Sequence, residues 1–146
     1  MSERWRTPQP YAEIDHTADA GVLVEGRTTR ETLARLVLAL GQLLAGEGAV
    51  DHERDVVVEV AAGPLDLVAV DVLRELLFRF DRDGVIPESC EVLRLSPTDG
   101  AQLHVGVGSF DPQRHGEGLE IKAVTLHDAR FEPMDGGYQA QVIFDL

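Results

Sequence analysis

A chain of 146 residues with 44% hydrophobic and 27% charged residues fits one domain able to bury about two-thirds of its unfolded surface, and this composition excludes a disordered chain. A net charge of −13 excludes strong direct nucleic-acid binding, which relies on Lys and Arg at phosphates, and favours cations or a basic protein surface as partners. No apolar run approaches the roughly 18 residues of a membrane span, and one cysteine with no asparagine excludes an intrachain disulfide and N-glycosylation, in keeping with the cytoplasm.

Residues 1–10 read as a flexible, partly basic lead-in to a single domain over 11–146. Tyr11 to Ile14 predicts a short strand that enters the loop Asp15-His16-Thr17-Ala18-Asp19. Ala20, Val22 and Val24 then alternate with Gly21, Leu23 and Glu25, which is the period of a strand. Thr28 followed by Glu31 predicts a capping box. Leu33, Leu36, Val37, Leu40, Leu43 and Leu44 recur at helical spacing as one apolar face. Gly41 weakens that helix slightly, and Gly46 and Gly48 end it.

The β-branched run Val56-Val57-Val58 predicts a strand. Pro64 opens a second amphipathic helix, which Asp81-Arg82-Asp83-Gly84 terminates. Val92 to Leu95 and Leu103 to Val107 flank the turn sequence Pro97-Thr98-Asp99-Gly100 and predict a hairpin. Phe110 to Gly118 reads as a polar loop. Ile121 to Leu126 and Ala129 to Glu132 read as two strands. Asp135-Gly136-Gly137 turns into a last strand over 138–146, with Tyr138, Ala140, Val142 and Phe144 on one face. The order is ββαβα followed by about five strands. That predicts an α+β domain with two amphipathic helices on a mixed or mostly antiparallel sheet, open to being split in two.

The chemistry concentrates at the two ends. Hard cations take oxygen ligands, chiefly carboxylates. Asp145 and the main-chain carboxylate of Leu146 lie one residue apart. If the last strand lies beside the first, Asp19 completes a cluster of three like charges that repel without a cation between them. Read alone, Asp15 and Asp19 fit turn capping as well as a metal. His16 fits a ligand, a supporting donor or a turn residue. Lys122 is the only lysine beside 12 arginines, which marks a position suited to a compact ammonium. No nucleophile elbow or phosphate loop is present, and Cys90 has no basic neighbour to activate it.

Tyr11-Ala-Glu-Ile-Asp15-His-Thr-Ala-Asp-Ala-Gly21, with Leu73-Arg-Glu-Leu-Leu-Phe-Arg-Phe-Asp81, Glu120-Ile-Lys-Ala-Val-Thr125 and Val142-Ile-Phe-Asp-Leu146, resembles the archease family over almost the whole chain. The resemblance implies a non-catalytic accessory protein that promotes guanylylation and multiple turnover of a GTP-dependent RNA-splicing ligase of the RtcB class, in tRNA processing. It implies a calcium-type site (magnesium and manganese being the alternatives) at Asp19, Asp145 and Leu146. Asp15 and His16 are then supports, and Lys122 matches a lysine implicated in archease function. Arg74 departs from the family, which often has an acidic residue there, and Ala20 stands where a larger aliphatic is usual. Two other readings stay open on the residues alone: a stand-alone metal-dependent phosphoester hydrolase, and an interaction domain with a purely structural metal.

Overall fold

The first helix, α1 (Thr29–Ala45), is buried on nearly every side. From Glu31 to Ala45 only Arg35 and Gln42 escape full burial, so it is an interior helix and not the one-faced helix its Leu/Val spacing predicts. The computed structural model describes residues 3–15, 19–46, 48–116 and 118–146, and only the backbone of Asp15. Among them, one sheet contains β1 (Arg4–Arg6), β5 (Val85–Ser96), β6 (Gly100–Ser109) and β4 (Arg54–Val60), side by side in that order. A second contains β2 (Ala12–Asp15), β3 (Asp19–Gly26), β8 (Gly137–Asp145) and β7 (Ala123–Met134). Every pairing is antiparallel.

Helix α1 packs on β5 of the first sheet and on β3 and β8 of the second. The second helix, α2 (Leu65–Asp83), packs on β4 to β6 and on β7. The architecture is therefore three layers, sheet–helices–sheet, and the α+β expectation holds with the sheet divided in two. Inward residues alternate along the strands: Val22 and Val24, Val56 and Val58, and Ala140, Val142 and Phe144 are all buried.

Local chemistry sets the helix ends. Thr28 Oγ1 accepts the Glu31 amide at 3.0 Å, while Glu31 reaches back to the Arg27 amide at 2.9 Å. The capping box thus closes one residue earlier than the pattern predicts. Helix α2 stops at Gly84, whose φ of 69° and ψ of 27° are left-handed and whose amide donates to the Phe80 carbonyl at 2.8 Å.

Three expectations are corrected. Residues 4–6 of the lead-in form β1, which pairs Arg4 with Glu91 and Trp5 with Cys90. Arg4 reaches both Asp55 oxygens at 3.2 Å and Ser89 Oγ at 2.9 Å, and Arg6 donates to Glu88 Oε1 at 2.9 Å. His52 stands between Glu88 at 2.9 Å and Asp55 at 3.0 Å. These partners are far away in sequence, so the local pattern of the lead-in does not reveal them. Second, the strands predicted at 121–126 and 129–132 are one strand, β7, with a register shift between Thr125 and Arg130 and with Asp128 at φ 53°. A bulge of this kind keeps one strand continuous while skipping residues. Four strands therefore follow α2 instead of about five. Third, the 110–118 loop contains a one-turn helix, α3 (Pro112–His115), capped by Asp111.

Gly41 marks a close approach. A Cβ there would collide with the Pro87 carbonyl on β5. Gly41→Ala should therefore destabilise the fold by about 1–3 kcal/mol in urea unfolding, opposite in sign to the ~1 kcal/mol gain that helix propensity alone gives.

Acid should unfold the protein through its held carboxylates. Burial pushes the Asp55 carboxyl up, but the hydrogen bonds and charge of Arg4, with His52 and His104, outweigh that and hold it below its ordinary value. The Arg27 amide, with Arg35 and Arg27 charges assisting against burial, holds Glu31 low. A depressed folded value contributes stability that is complete above the unfolded value and lost as pH falls through the folded one. Urea midpoints should stay level down to about pH 4.5 and decline below it. In Arg4→Met, the share of that decline due to Asp55 should shrink, with His52 and His104 left to hold the carboxyl.

Candidate metal centre

Strand register builds the site. In the β3–β8 ladder Asp19 lies directly opposite Asp145, and in the β7–β8 ladder Asp145 lies opposite Ala123. Directly opposed residues in an antiparallel pair face the same way, with Cβ atoms about 4.5–5.5 Å apart. Because Ala20, Val22 and Phe144 take the inner face, Asp19 and Asp145 project from the outer face of the second sheet. Two residues 126 positions apart thus become neighbours, the juxtaposition predicted from the chain ends.

The next outward row is Ile14, Gly21, Ile143 and Thr125. Ile143 is only 3% exposed, although its side is the outer one. A Cβ on Gly21 would stand 2.6 Å from Ile143 Cδ1 and 3.4 Å from Ile14 Cβ. The glycine therefore leaves room for Ile143 to lie flat, forming an apolar floor beside the carboxylate pair. Ala123, opposite Asp145, is correspondingly small. Neither Gly21 nor Ala123 stood out in the sequence as a site residue; the signal was their phase, two residues from Asp19 and two from Thr125.

Leu146 follows β8 and is 38% exposed. The Lys122 amide donates to the Asp145 carbonyl at 2.8 Å. The main chain thus ties Lys122 to the same corner. Its side chain is exposed. Thr125 and Val124 belong to the regular part of β7, but Leu126, at 47% exposure, lies in the bulge. Lys122 thus does not share the burial of Val124, and its ammonium faces water. Asp15 pairs with Ala20 through its backbone. His16 lies outside the described residues, and so does the Asp15 side chain.

The donor set fits a hard cation in kind. Asp19 and Asp145 bring two carboxylates to one face, and like charges directly opposed across a ladder destabilise it unless a cation intervenes. Among the described residues, no three His, Cys, Asp or Glu side chains cluster as a metal site requires. A cation here thus needs donors beyond the two side chains, such as the Leu146 main-chain carboxylate or water.

A cavity lies elsewhere. About 430 Å³ opens between Arg6, Tyr11, Gln42, Pro87 and Glu88, and neither aspartate lines it. Its charged groups are bound to one another in the β1 network, so it offers less to an ion than the opposed aspartates do. Cys90 is fully buried, and burial pushes its thiol far above its ordinary value, which makes it inert as a nucleophile. Arg74, the family departure, donates from Nε to the Val124 carbonyl at 2.9 Å. It joins α2 to the first turn of β7 beside the site, a role that its position on the helix surface did not announce.

The model of the Archease protein family (MTH1598/TM1083) matches residues 11–146. The chain is 36% identical over 139 residues to protein archease of Methanopyrus kandleri, covering 94% of this chain and 99% of that protein. It is 29% identical over 140 residues to protein archease of Pyrococcus furiosus, covering 93% and 98%. The solution structure of Methanobacterium thermoautotrophicum protein 1598 superposes with a TM-score of 0.77 at 28% identity, covering 93% of this chain and 98% of that one. The crystal structure of a Thermotoga maritima archease, described as a possible chaperone, has the same fold at a TM-score of 0.62 and 23% identity, covering 97% and 99%.

Calcium titration tests the centre. Saturating Ca²⁺, at about 100 times its Kd, should stabilise the protein by about 2.7 kcal/mol, which is a rise in Tm of roughly 5–10 °C at this size. Asp19→Asn and Asp145→Asn should each remove that rise while keeping a native circular dichroism spectrum. An undiminished Ca²⁺ response in either variant would remove that residue from the site.

Proposed function

The chain belongs to the archease family, and on that premise we propose that it is a non-catalytic, metal-binding cofactor protein that activates a GTP-dependent RNA-splicing ligase. The ligase is of the RtcB class, and the protein promotes its guanylylation and multiple turnover in cytoplasmic tRNA splicing. Asp19, Asp145 and the Leu146 carboxylate hold a hard divalent cation, calcium first and magnesium or manganese second. Such a cation supplies charge neutralisation and oriented oxygen coordination.

The observation that carries this reading is the register that opposes Asp19 to Asp145. Two carboxylates on one outward face, in a chain of net charge −13, make an acidic tip suited to a partner centre rich in cations. The tip docks at the ligase's nucleotide-binding centre and positions or exchanges a divalent ion there. Lys122, exposed at the same corner, contacts the ligase or its nucleotide. Asp15 and His16 support the loop that leads into Asp19.

The test is a guanylylation assay with the cognate ligase, GTP and a divalent cation. Sub-stoichiometric amounts of this protein should accelerate formation of the ligase–guanylate adduct, and Asp145→Asn should not. An adduct rate unchanged by the wild-type protein would overturn the proposal. A chain extended beyond Leu146 should show weakened metal affinity, and full affinity in that form would exclude the terminal carboxylate as a donor.

A further inference from the structure

Strand β7 leaves its ladder at one place. Thr125 lies opposite Ile143 and Arg130 opposite Gln141, so residues 126–129 stand where β8 supplies Val142 alone. Ala129 packs against the core. That leaves Leu126, His127 and Asp128 as three extra residues standing off the strand. Leu126 is 47% exposed, and the side chains of His127 and Asp128 are 77% and 54% exposed. Asp128 has a φ of 53°, a left-handed conformation that few residues other than glycine hold. The bump is fastened all the same. Gln141 Nε2, on the outer face of the second sheet, donates to the Asp128 carbonyl at 3.0 Å, and His127 Nε2 lies 3.2 Å from Asp128 Oδ2.

The core does not require this bump. Without residues 126–128, the sequence Thr125-Ala129-Arg130 would run opposite Ile143-Val142-Gln141 as an unbroken ladder. Bulges recur beside functional sites because they re-aim side chains, and a residue held in a disfavoured conformation points the same way. The position of this one is informative. Gln141, which tethers the bump, is four residues from Asp145 along β8, about 13 Å at the rise of a strand. It shares the outer face with the aspartate pair. A protein–protein contact of ordinary size covers about 800 Å² on each partner, a disc reaching about 16 Å from its centre. A protein centred on the acidic pair therefore meets the bump as well. The two features are complementary in kind. Charge at the tip steers a partner and sets its orientation, whereas Leu126 and the ring of His127 offer the apolar surface that the centre of an interface buries.

We propose that residues 126–128 are a second contact, by which the protein that receives the acidic tip holds this chain. This rests on the reading of the chain as a ligase activator. The partner presents a shallow apolar hollow with a polar rim, beside the cation-rich centre that takes the tip.

Deleting residues 126–128 tests this, because it restores a plain ladder and leaves Asp19, Asp145 and Lys122 in place. The deletion variant should fold and keep the Ca²⁺-induced rise in Tm. In biolayer interferometry with Ca²⁺ present, it should bind the immobilised cognate RtcB-class ligase about tenfold more weakly than the wild type does. Leu126→Ser and His127→Ala, which keep the chain length, should each account for part of that loss. The control Val57→Ser removes an exposed apolar side chain from the first sheet, and it should bind as the wild type does. Wild-type affinity in a folded deletion variant, or equal weakening in the control, would overturn the proposal and leave ligase activation standing. A wild-type protein that neither binds nor activates the ligase would remove both. If the deletion variant does not fold, the point variants decide, and wild-type affinity in both overturns the second contact.

Discussion

A helix with sheets above and below it has no side to spare for water, and this constraint on α1 shapes the rest of the molecule. Its residues from Glu31 to Ala45 must be apolar in nearly every direction, and small wherever a strand comes close, as at Gly41 against Pro87. The two sheets inherit the consequence. Each has one face pressed on the helix layer and one face turned outward, so β4 alternates between core and solvent, whereas β5 stays buried from Val85 to Cys90. The outer faces are then the places where charge can be carried without burial. The first sheet uses its outer face for the Arg4–Asp55 and Arg6–Glu88 contacts that fasten β1. The second uses its outer face for the opposed aspartates.

Those two faces handle carboxylates differently. On the first sheet, arginine and histidine stand within 4 Å of Asp55 and Glu88, so the acids are neutralised by the chain itself. On the second, the strand ladder alone sets two acids side by side, over a floor made by Ile143 and Gly21. The first arrangement stabilises a fold. The second sets two like charges directly opposite one another across a strand ladder. Lys122, tied to the corner by its amide and exposed through its side chain, adds a positive group beside the pair.

Much of this was legible in the sequence where the signal is local. The strand phase of Ala20–Val24 and of Tyr138–Phe144 separated inner from outer faces, while the meeting of Asp19 with Asp145 was expected only on the condition that the end strands lie side by side, which the β3–β8 register fulfils. Caps and turn glycines at Thr28, Gly84 and Gly136 fixed boundaries because their chemistry acts over a few residues. What escaped was non-local or irregular. The β1 strand is held by Glu88, Ser89 and Asp55, more than 40 residues away, and nothing in Arg-Trp-Arg encodes them. The β7 bulge broke the period of two, so the two strands expected at 121–126 and 129–132 did not read as one. The interior position of α1 was hidden because helical spacing reveals one apolar face clearly and says little about what covers the opposite one.

The order of strands in the second sheet has a bearing on synthesis. Strand β8 lies between β3 and β7, yet it is made after both. Until residues 137–145 leave the ribosome, the β2–β3 hairpin and β7 have no shared neighbour, and the lower side of α1 has only β3 against it. The first sheet can assemble earlier, since β1, β4, β5 and β6 all precede residue 110. A nascent chain is therefore half built, with a greasy helix face waiting for its cover. The segment that closes the fold is also the one that delivers Asp145, so the acidic pair comes into being only when folding is finished.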